Sequence, residues 1–324
     1  MKISNKSNLY VMTAGLALLA VPVAAQTYPV KPVRIIVPYA AGGNTDYTAR
    51  AVGARLTEIL GQQIVVENRP GAGTNIGTEL VVKAPADGYT LLMGGAANAI
   101  NMSLLAKPPY NTLRDLTPVA WCVQGANVLS VHPSLPAKNL KDLIALARAR
   151  PGKLNFASSG VGGSNHMAGE LLKVMAKINI VHVPYKGNTP ALADAVGGHV
   201  EMIISGVPAL KPLIESGKLR GIAIGSQQRF QALPDVPTFI EAGLPGYEST
   251  NWFGLMAPIK TPREIINRLS AESDKILRSP DLQQRFVNAG LDAKGGTPEA
   301  FGAFIRAEIE KYAKVVKLAR ITQQ

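Results

Sequence analysis

The 324-residue sequence has little cysteine and few aromatic side chains, and each shortage excludes a class of protein. Cys122 is the only cysteine, so the chain forms no internal disulfide and its stability must come from a hydrophobic core. Cys122 lies in the apolar run 119–123, which predicts a buried and inert thiol. Aromatic residues make up 6% of the chain and the basic residues are dispersed, a combination that argues against nucleic-acid binding.

The N-terminal residues 1–25 have the pattern of a secretory signal peptide. Lys2 and Lys6 give a positive start, the apolar run 11–21 is too short to span a bilayer, and small residues precede Gln26. We expect a periplasmic protein whose mature chain begins at Gln26. An uncleaved N-terminal anchor is the alternative. No later stretch of the sequence is long and apolar enough for a transmembrane helix.

Acidic residues are also scarce, 22 against 34 Lys and Arg, and the formal net charge is +12. The positive excess remains after removal of the signal peptide, and it raises the local concentration of anionic ligands. A content of 47% apolar and 17% charged residues is typical of a globular protein. About 300 residues remain after the signal peptide, which is more than one ordinary core organises and predicts two lobes.

Short apolar runs alternate with segments of helical periodicity. The runs are apolar on both faces, as parallel strands covered by helices are, and each precedes a loop with Gly, Ser or Pro. They are residues 33–37, 64–67, 90–93, 154–157, 180–183, 202–204 and 221–224.

Two extended stretches without helical periodicity, 119–131 and 251–258, are predicted to cross between the lobes. We therefore predict an α/β fold of two lobes, each a mostly parallel sheet flanked by helices. Lobe one would contain residues 26–124 and 252–324, and lobe two residues 125–251. A cleft between such lobes is a common ligand site.

The loop from Pro38 to Asp46 follows the first predicted strand and leads into a helix. Its glycines let a ligand approach the backbone, and a helix N-terminus offers free N–H groups to an anion. Arg50 follows Asp46 by four residues, a helical ion-pair spacing that would temper repulsion of an anionic ligand. A tight turn capped by Thr45 or Asp46 is the alternative. The predicted ligand contacts are Tyr39, Ala41, Gly43, Asn44, Thr45 and Asp46.

A second loop, Ser158–His166, stands in the same relation to a later strand and helix. Its predicted ligand contacts are Ser158, Gly162, Ser164, Asn165 and His166. Asn98, which follows the strand ending at Met93, is predicted to reach the same cleft. These loops follow the carboxyl ends of strands, the edge where open α/β sheets bind ligands.

The sequence contains no catalytic constellation that we recognise. Gly-x-Ser-x-Gly and P-loop motifs are absent, and the four histidines have neither metal-ligand spacing nor an evident carboxylate partner. Residues 71–77 approach a dinucleotide-binding pattern, but no acid follows the next strand to bind a ribose. A nucleotide-dependent enzyme is therefore a minor alternative. We predict a protein that is not an enzyme and uses no cofactor or metal.

A series of ordered motifs along the mature chain resembles the Bug family of extracytoplasmic solute receptors, the TctC-like binding components of tripartite tricarboxylate transporters. The motifs are Pro38–Asp46 with Arg50, Asn68–Ala72, Asp87–Leu91, Leu116–Ala120, Ser158–His166 with Glu170-Leu171, Val183–Gly187, Leu233–Thr238, Trp252–Leu255, Ala257-Pro258 and Thr261-Pro262.

This resemblance implies a periplasmic-binding-protein (Venus flytrap) fold that holds a small carboxylate between its lobes. Backbone groups and ordered waters at the loop 39–46 would hold the carboxylate, and the loop 158–166 would contribute from the opposing lobe. Ser205-Gly206 stands where family members often carry Asp or Asn, so Ser205 is a predicted contact and an amino-acid ligand is disfavoured. The ligand class is then a di- or tricarboxylate or an aromatic carboxylate.

The resemblance also implies integral-membrane transporter subunits as partners, although a cognate transporter need not exist because orphan receptors abound in the family. A sensor that passes ligand occupancy to a membrane signalling partner is the alternative with the same fold.

Overall fold

The computed structural model describes residues 28–319 and 321. The predicted signal peptide and its cleavage site lie outside these residues. The strands are β1 Val33–Val37, β2 Ile64–Asn68, β3 Thr90–Gly95, β4 Leu116–Val131, β5 Asn155–Ser158, β6 Val181–Pro184, β7 Met202–Gly206, β8 Arg220–Ile224, β9 Thr250–Pro258 and β10 Leu291–Ala293.

The helices are α1 Asn44–Leu60, α2 Asn75–Val82, α3 Ala96–Leu104, α4 Thr112–Asp115, α5 Leu140–Ala149, α6 Ser164–Ala176, α7 Asn188–Val196, α8 Val207–Glu215, α9 Arg263–Leu277, α10 Pro280–Asn288 and α11 Pro298–Leu318. A short 3₁₀ helix, Ala72–Thr74, precedes α2. Among residues 28–319, no helix combines the length and apolarity that crossing a membrane requires.

The long strand β4 belongs to two sheets. Its residues from Leu116 to Ala126 pair with β9, and those from Asn127 to Val131 pair with β7. The first sheet contains β2, β1, β3, β9, β10 and the start of β4, and the second contains the end of β4 with β7, β8, β5 and β6. The predicted crossing at 119–131 is thus an extended strand that passes from sheet to sheet.

Each sheet is mixed, which corrects the prediction of mostly parallel sheets. β1 pairs in parallel with β2 and β3, and β5 with β6 and β7, because helices connect these strands. The chain leaves the first sheet along β4 and returns along β9, so these two strands run antiparallel. β8 and β10 add further antiparallel pairs with β4. The lobe boundaries at residues 124/125 and 251/252 stay a prediction.

Buried side chains fill both faces of each sheet, since successive strand residues point to opposite sides. Ile35 of β1 packs in a cluster with Leu56 of α1, and the adjacent Ile36 packs in another with Phe301 of α11. The second sheet repeats this arrangement with two further clusters. Cys122 is fully buried in the first cluster, which confirms its predicted burial, and burial raises the pKa of its thiol to about 12, as an inert cysteine requires.

Candidate ligand-binding site

A cavity of about 140 Å³ lies where loops from the two sheets face each other, and we call it the inner chamber. Its walls come from the loops after β1, β5 and β6, the end of β7, and the crossing strands β4 and β9. Eight of the predicted contacts line it: Tyr39, Ala41, Gly43, Asn44, Thr45, Ser164, Asn165 and Ser205. The structure therefore brings the two predicted loops together, while ligand contact by these residues stays a prediction.

Four helices begin at the inner chamber, and each has a glycine as its capping residue. Gly43, Gly163, Gly187 and Gly206 precede α1, α6, α7 and α8, and all four line the cavity. A glycine cap has no side chain to accept from the first N–H groups of a helix. Three helices away from the chamber, α4, α5 and α11, do have side-chain caps; at α5, Asn139 accepts from the Asp142 N–H. The positive ends of four helix dipoles thus converge on one cavity.

The charge of the lining agrees with this convergence. Lys186 is the one charged side chain among the described residues that line the inner chamber, and no Asp or Glu is among them. A carboxylate would therefore meet positive potential from the helix ends and from Lys186, without a facing negative charge.

Amide side chains form the floor of the inner chamber. Asn127 Nδ2 donates to Ser249 Oγ at 2.8 Å, and the Ser205 hydroxyl donates to Asn188 Oδ1 at 3.0 Å. Asn251 lies beside Asn127 and is 6% exposed. Asn127, Asn188 and Asn251 were not predicted as contacts. An amide inside an apolar crossing strand, as at Asn127 and Asn251, does indicate a hydrogen-bonding position, because burying an amide without a hydrogen bond is unfavourable.

Five predicted contacts do not line the chamber: Asp46, Asn98, Ser158, Gly162 and His166. Each lies behind the lining and bonds to other protein groups, so direct ligand contact is not supported by their positions. Asn98, for example, is fully buried; it accepts from the Gly95 N–H at 3.0 Å and donates to Thr78 Oγ1 at 3.0 Å.

Asp46 supports the first loop from behind. It accepts from the Gly42 N–H and pairs with Arg50, both at 3.0 Å, which confirms the predicted ion pair. Burial alone would raise the pKa of Asp46, but hydrogen bonds from Arg50, Gly42 and Asn68 outweigh it and hold the pKa below its usual value. Its negative charge is consequently paired with Arg50 of α1.

A pair of stacked histidines, the buried His166 and the half-buried His182, supports the second loop. The rings of His166 and His182 stack with their centroids 4.0 Å apart. The Gly162 N–H donates to His166 Nδ1 at 3.3 Å, and Ser158 Oγ lies 2.6 Å from His182 Nε2. Burial lowers the pKa of His166 to about 4 and that of His182 to about 3. The neighbouring His166 adds to the shift of His182, and Lys173 adds to both shifts. The second loop therefore rests on two neutral rings.

A second cavity of about 530 Å³ adjoins the inner chamber, and we call it the outer chamber. Six residues line both cavities and form the neck between them: Tyr39, Ala40, Ser159, Gly163, Lys186 and Gly187. The remaining walls of the outer chamber come from residues 70–74, residues 160 and 161, Pro38, Ala97, Pro184 and Tyr185. Within the part of the chain that the structure describes, no three His, Cys, Asp or Glu side chains are grouped so as to hold a metal ion.

Comparison with known proteins places this architecture in a family. Residues 48–320 match the tripartite tricarboxylate transporter family receptor. The chain belongs to this family. It is 39% identical to the protein BugT of Bordetella pertussis over 311 residues, 95% of this chain and 94% of that one. The predicted Bug-family membership is confirmed.

Solved structures agree with this assignment. Rpa4515 of Rhodopseudomonas palustris, solved with adipate, is 38% identical with a TM-score of 0.87, over 90% of this chain and 98% of that one. MatC of the same organism, solved with bound malate, is 32% identical with a TM-score of 0.84, over 89% of this chain and 100% of that one. The two-lobed periplasmic-binding-protein fold is confirmed, and the protein is a periplasmic solute-binding receptor, not an enzyme.

Proposed function

We propose that this receptor captures a small organic acid by binding its carboxylate in the inner chamber. The observation that carries the proposal is the convergence of four glycine-capped helix N-termini on a cavity whose described lining includes no acidic side chain. Helix N-termini bind anions through free N–H groups and the dipole, so the carboxylate needs no arginine. The adipate and malate bound to the two related receptors support the same ligand class.

The bound acid is then delivered to integral-membrane subunits of a tripartite transporter. Family membership supports this step. For export, residues 1–25 serve as a signal peptide that is removed before Gln26. Mass spectrometry of the exported protein tests the processing, and an intact N-terminus on secreted material would contradict it.

A thermal-shift screen of mono-, di- and tricarboxylates tests the binding proposal, with the carboxamide of each acid as its uncharged control. Free ligand at 100 times its Kd stabilises the folded state by roughly 2.7 kcal/mol, which gives a measurable shift. We expect acids to raise the melting temperature and their carboxamides to leave it unchanged. Stabilisation by neutral sugars or nucleotides, with none by any acid, would refute the proposal.

The variant Gly43→Val tests the location. A Cβ at Gly43 has only the Ala40 carbonyl oxygen nearby, at 3.8 Å, so the folded state accommodates it. The added side chain would stand in front of the first N–H groups of α1 and should abolish binding of acids. Gly302→Ala, a glycine of α11 outside both chambers, is the control. Unchanged affinity of Gly43→Val would remove the first loop from the site.

A further inference from the structure

The inner chamber is too small for most organic acids. Its volume of about 140 Å³ is close to that of an engineered cavity that holds benzene, so it accepts a carboxylate and roughly three or four carbon atoms. The outer chamber, at about 530 Å³, lies within the usual range for small-molecule pockets. A longer ligand must therefore pass the neck and continue into the outer chamber.

The outer chamber differs from the inner one in chemistry. Beyond the neck, prolines, alanines, glycines and Val161 form most of its walls, and no charged side chain of the described residues lines that part. The Tyr185 hydroxyl donates to Asp194 at 2.7 Å, so it is already engaged. Lys186 of the neck is the one charged side chain among the described residues of the outer chamber, and it already faces the carboxylate of the inner chamber, so a second carboxylate beyond the neck would give up water without a charged side chain of its own, which is unfavourable.

The backbone of one wall is held in an unusual conformation. Gly71, Ala72, Gly73 and Thr74 have φ angles of 132°, 47°, 61° and 83°, and two of the four are not glycine. Side chains rarely accept positive φ, and such conformations concentrate at ligand clamps and active sites. Gly73 also lies close to Val161, since a Cβ on it would be 3.4 Å from the Val161 carbonyl oxygen. Opposite walls of the outer chamber thus approach each other at this point.

We infer that the ligand has one carboxylate and an uncharged apolar body. The carboxylate occupies the inner chamber, and the body, an aliphatic chain or an aromatic ring, passes the neck and fills the outer chamber. This inference rests on the proposed function and selects monocarboxylates with an apolar body over dicarboxylates and tricarboxylates.

Calorimetric titration with propionate, hexanoate and adipate tests the inference. Propionate fits the inner chamber alone. Hexanoate has three more methylenes than propionate, and each buried methylene raises the affinity about fourfold. Hexanoate should therefore bind about 60-fold tighter than propionate. Adipate has the length of hexanoate and carries a second carboxylate. It should bind at least tenfold more weakly than hexanoate, because no charged side chain of the described residues lines the outer chamber beyond the neck to pair with that carboxylate.

A pair of variants locates the apolar body. Val161 lines the outer chamber and also packs against the cluster of Ile36 and Phe301, so Val161→Glu adds a carboxylate to this wall. It should weaken hexanoate binding more than tenfold while propionate binding stays within about twofold, because the inner chamber is unchanged. Val181→Glu makes the same change on β6, where the side chain is 41% exposed and lines neither chamber, and it should alter neither affinity. Propionate binding also reports that each variant is folded.

The outcomes separate the two proposals. If adipate binds as tightly as hexanoate or more tightly, the inference fails while the carboxylate site stands. Equal weakening of hexanoate and propionate by Val161→Glu, with the fold intact, also overturns it. If none of the acids, including the screened tricarboxylates, binds the wild-type protein, the proposed function fails and the inference fails with it.

Discussion

Mild acid should destabilise this receptor through His166, the buried member of the stacked histidine pair. The folded protein keeps His166 neutral, since burial lowers its pKa from 6.5 to about 4. Glu170 lies 3.9 Å from His166 Nε2 and would favour the charged ring, but Lys173 pairs with Glu170 at 2.9 Å and offsets its charge. In the unfolded chain the ring takes up a proton near its ordinary pKa, so acid favours unfolding.

Proton linkage gives the sign and the size of this pH effect on the free energy of unfolding. Because the folded pKa is depressed, the contribution of His166 is complete above about pH 6.5 and is lost as the pH falls towards about 4. Each pH unit within this window is worth about 1.4 kcal/mol for one histidine. Between pH 8 and pH 5, His166 alone should therefore lower the free energy of unfolding by about 2 kcal/mol.

Urea denaturation at pH 8, 7, 6 and 5 measures this effect of the histidine. The carboxylates with lowered pKa values do not obscure it, because their contribution to the free energy of unfolding is lost only at lower pH. His166→Gln should flatten the profile by about 2 kcal/mol over this range. His199→Gln, at an exposed histidine away from the pair, is the matched control. A wild-type slope in His166→Gln would show that the buried ring does not set the pH dependence.

Three further predictions follow from single positions. Gly206→Ala should weaken acid binding at least tenfold in calorimetric titrations, because the new Cβ would overlap Asn44 Nδ2 and displace that side chain from the inner chamber. Gly302→Ala, whose Cβ would have an ordinary 3.4 Å contact, should leave the affinity for acids unchanged. Asn139→Ala should lower the free energy of unfolding by about 1 kcal/mol in denaturant melts, because α5 loses its side-chain cap; no change would contradict the capping geometry. Cys122 should resist iodoacetamide until the protein unfolds, as followed by mass, and rapid labelling of the native protein would refute its burial.

The strand positions could be predicted from sequence because runs apolar on both faces have few other uses. The direction of pairing could not, since the same apolar run serves a parallel or an antiparallel neighbour. β4 shows the difference. Its length and apolar character indicated a crossing, but only the structure shows that Ala126 and Asn127 pair with different sheets and that the resulting pairs are antiparallel.

The site could be predicted where it is local and not where it depends on distant segments. The glycine-rich loops can be recognised from their composition, and residues 39–41, 43–45, 164 and 165 do line the inner chamber. Asp46 and His166 belong to the same loops, but sequence does not reveal which polar side chain of a loop points at the cavity and which is engaged behind it. Asn127 and Asn251 lie far apart in the chain and meet only through the pairing of β4 and β9.

Asn127 combines two positions in the molecule, because it is the first residue of β4 in the second sheet and part of the inner chamber floor. A change in the angle between the sheets must be absorbed by backbone torsions where the chain passes between them, and the junction where β4 changes partners is one of these places. A ligand that contacts Asn127 therefore contacts this junction. Ligand contact at Asn127 would thus reach the junction between the sheets directly, and a link between the bound state and the angle of the sheets would need no relay of side chains.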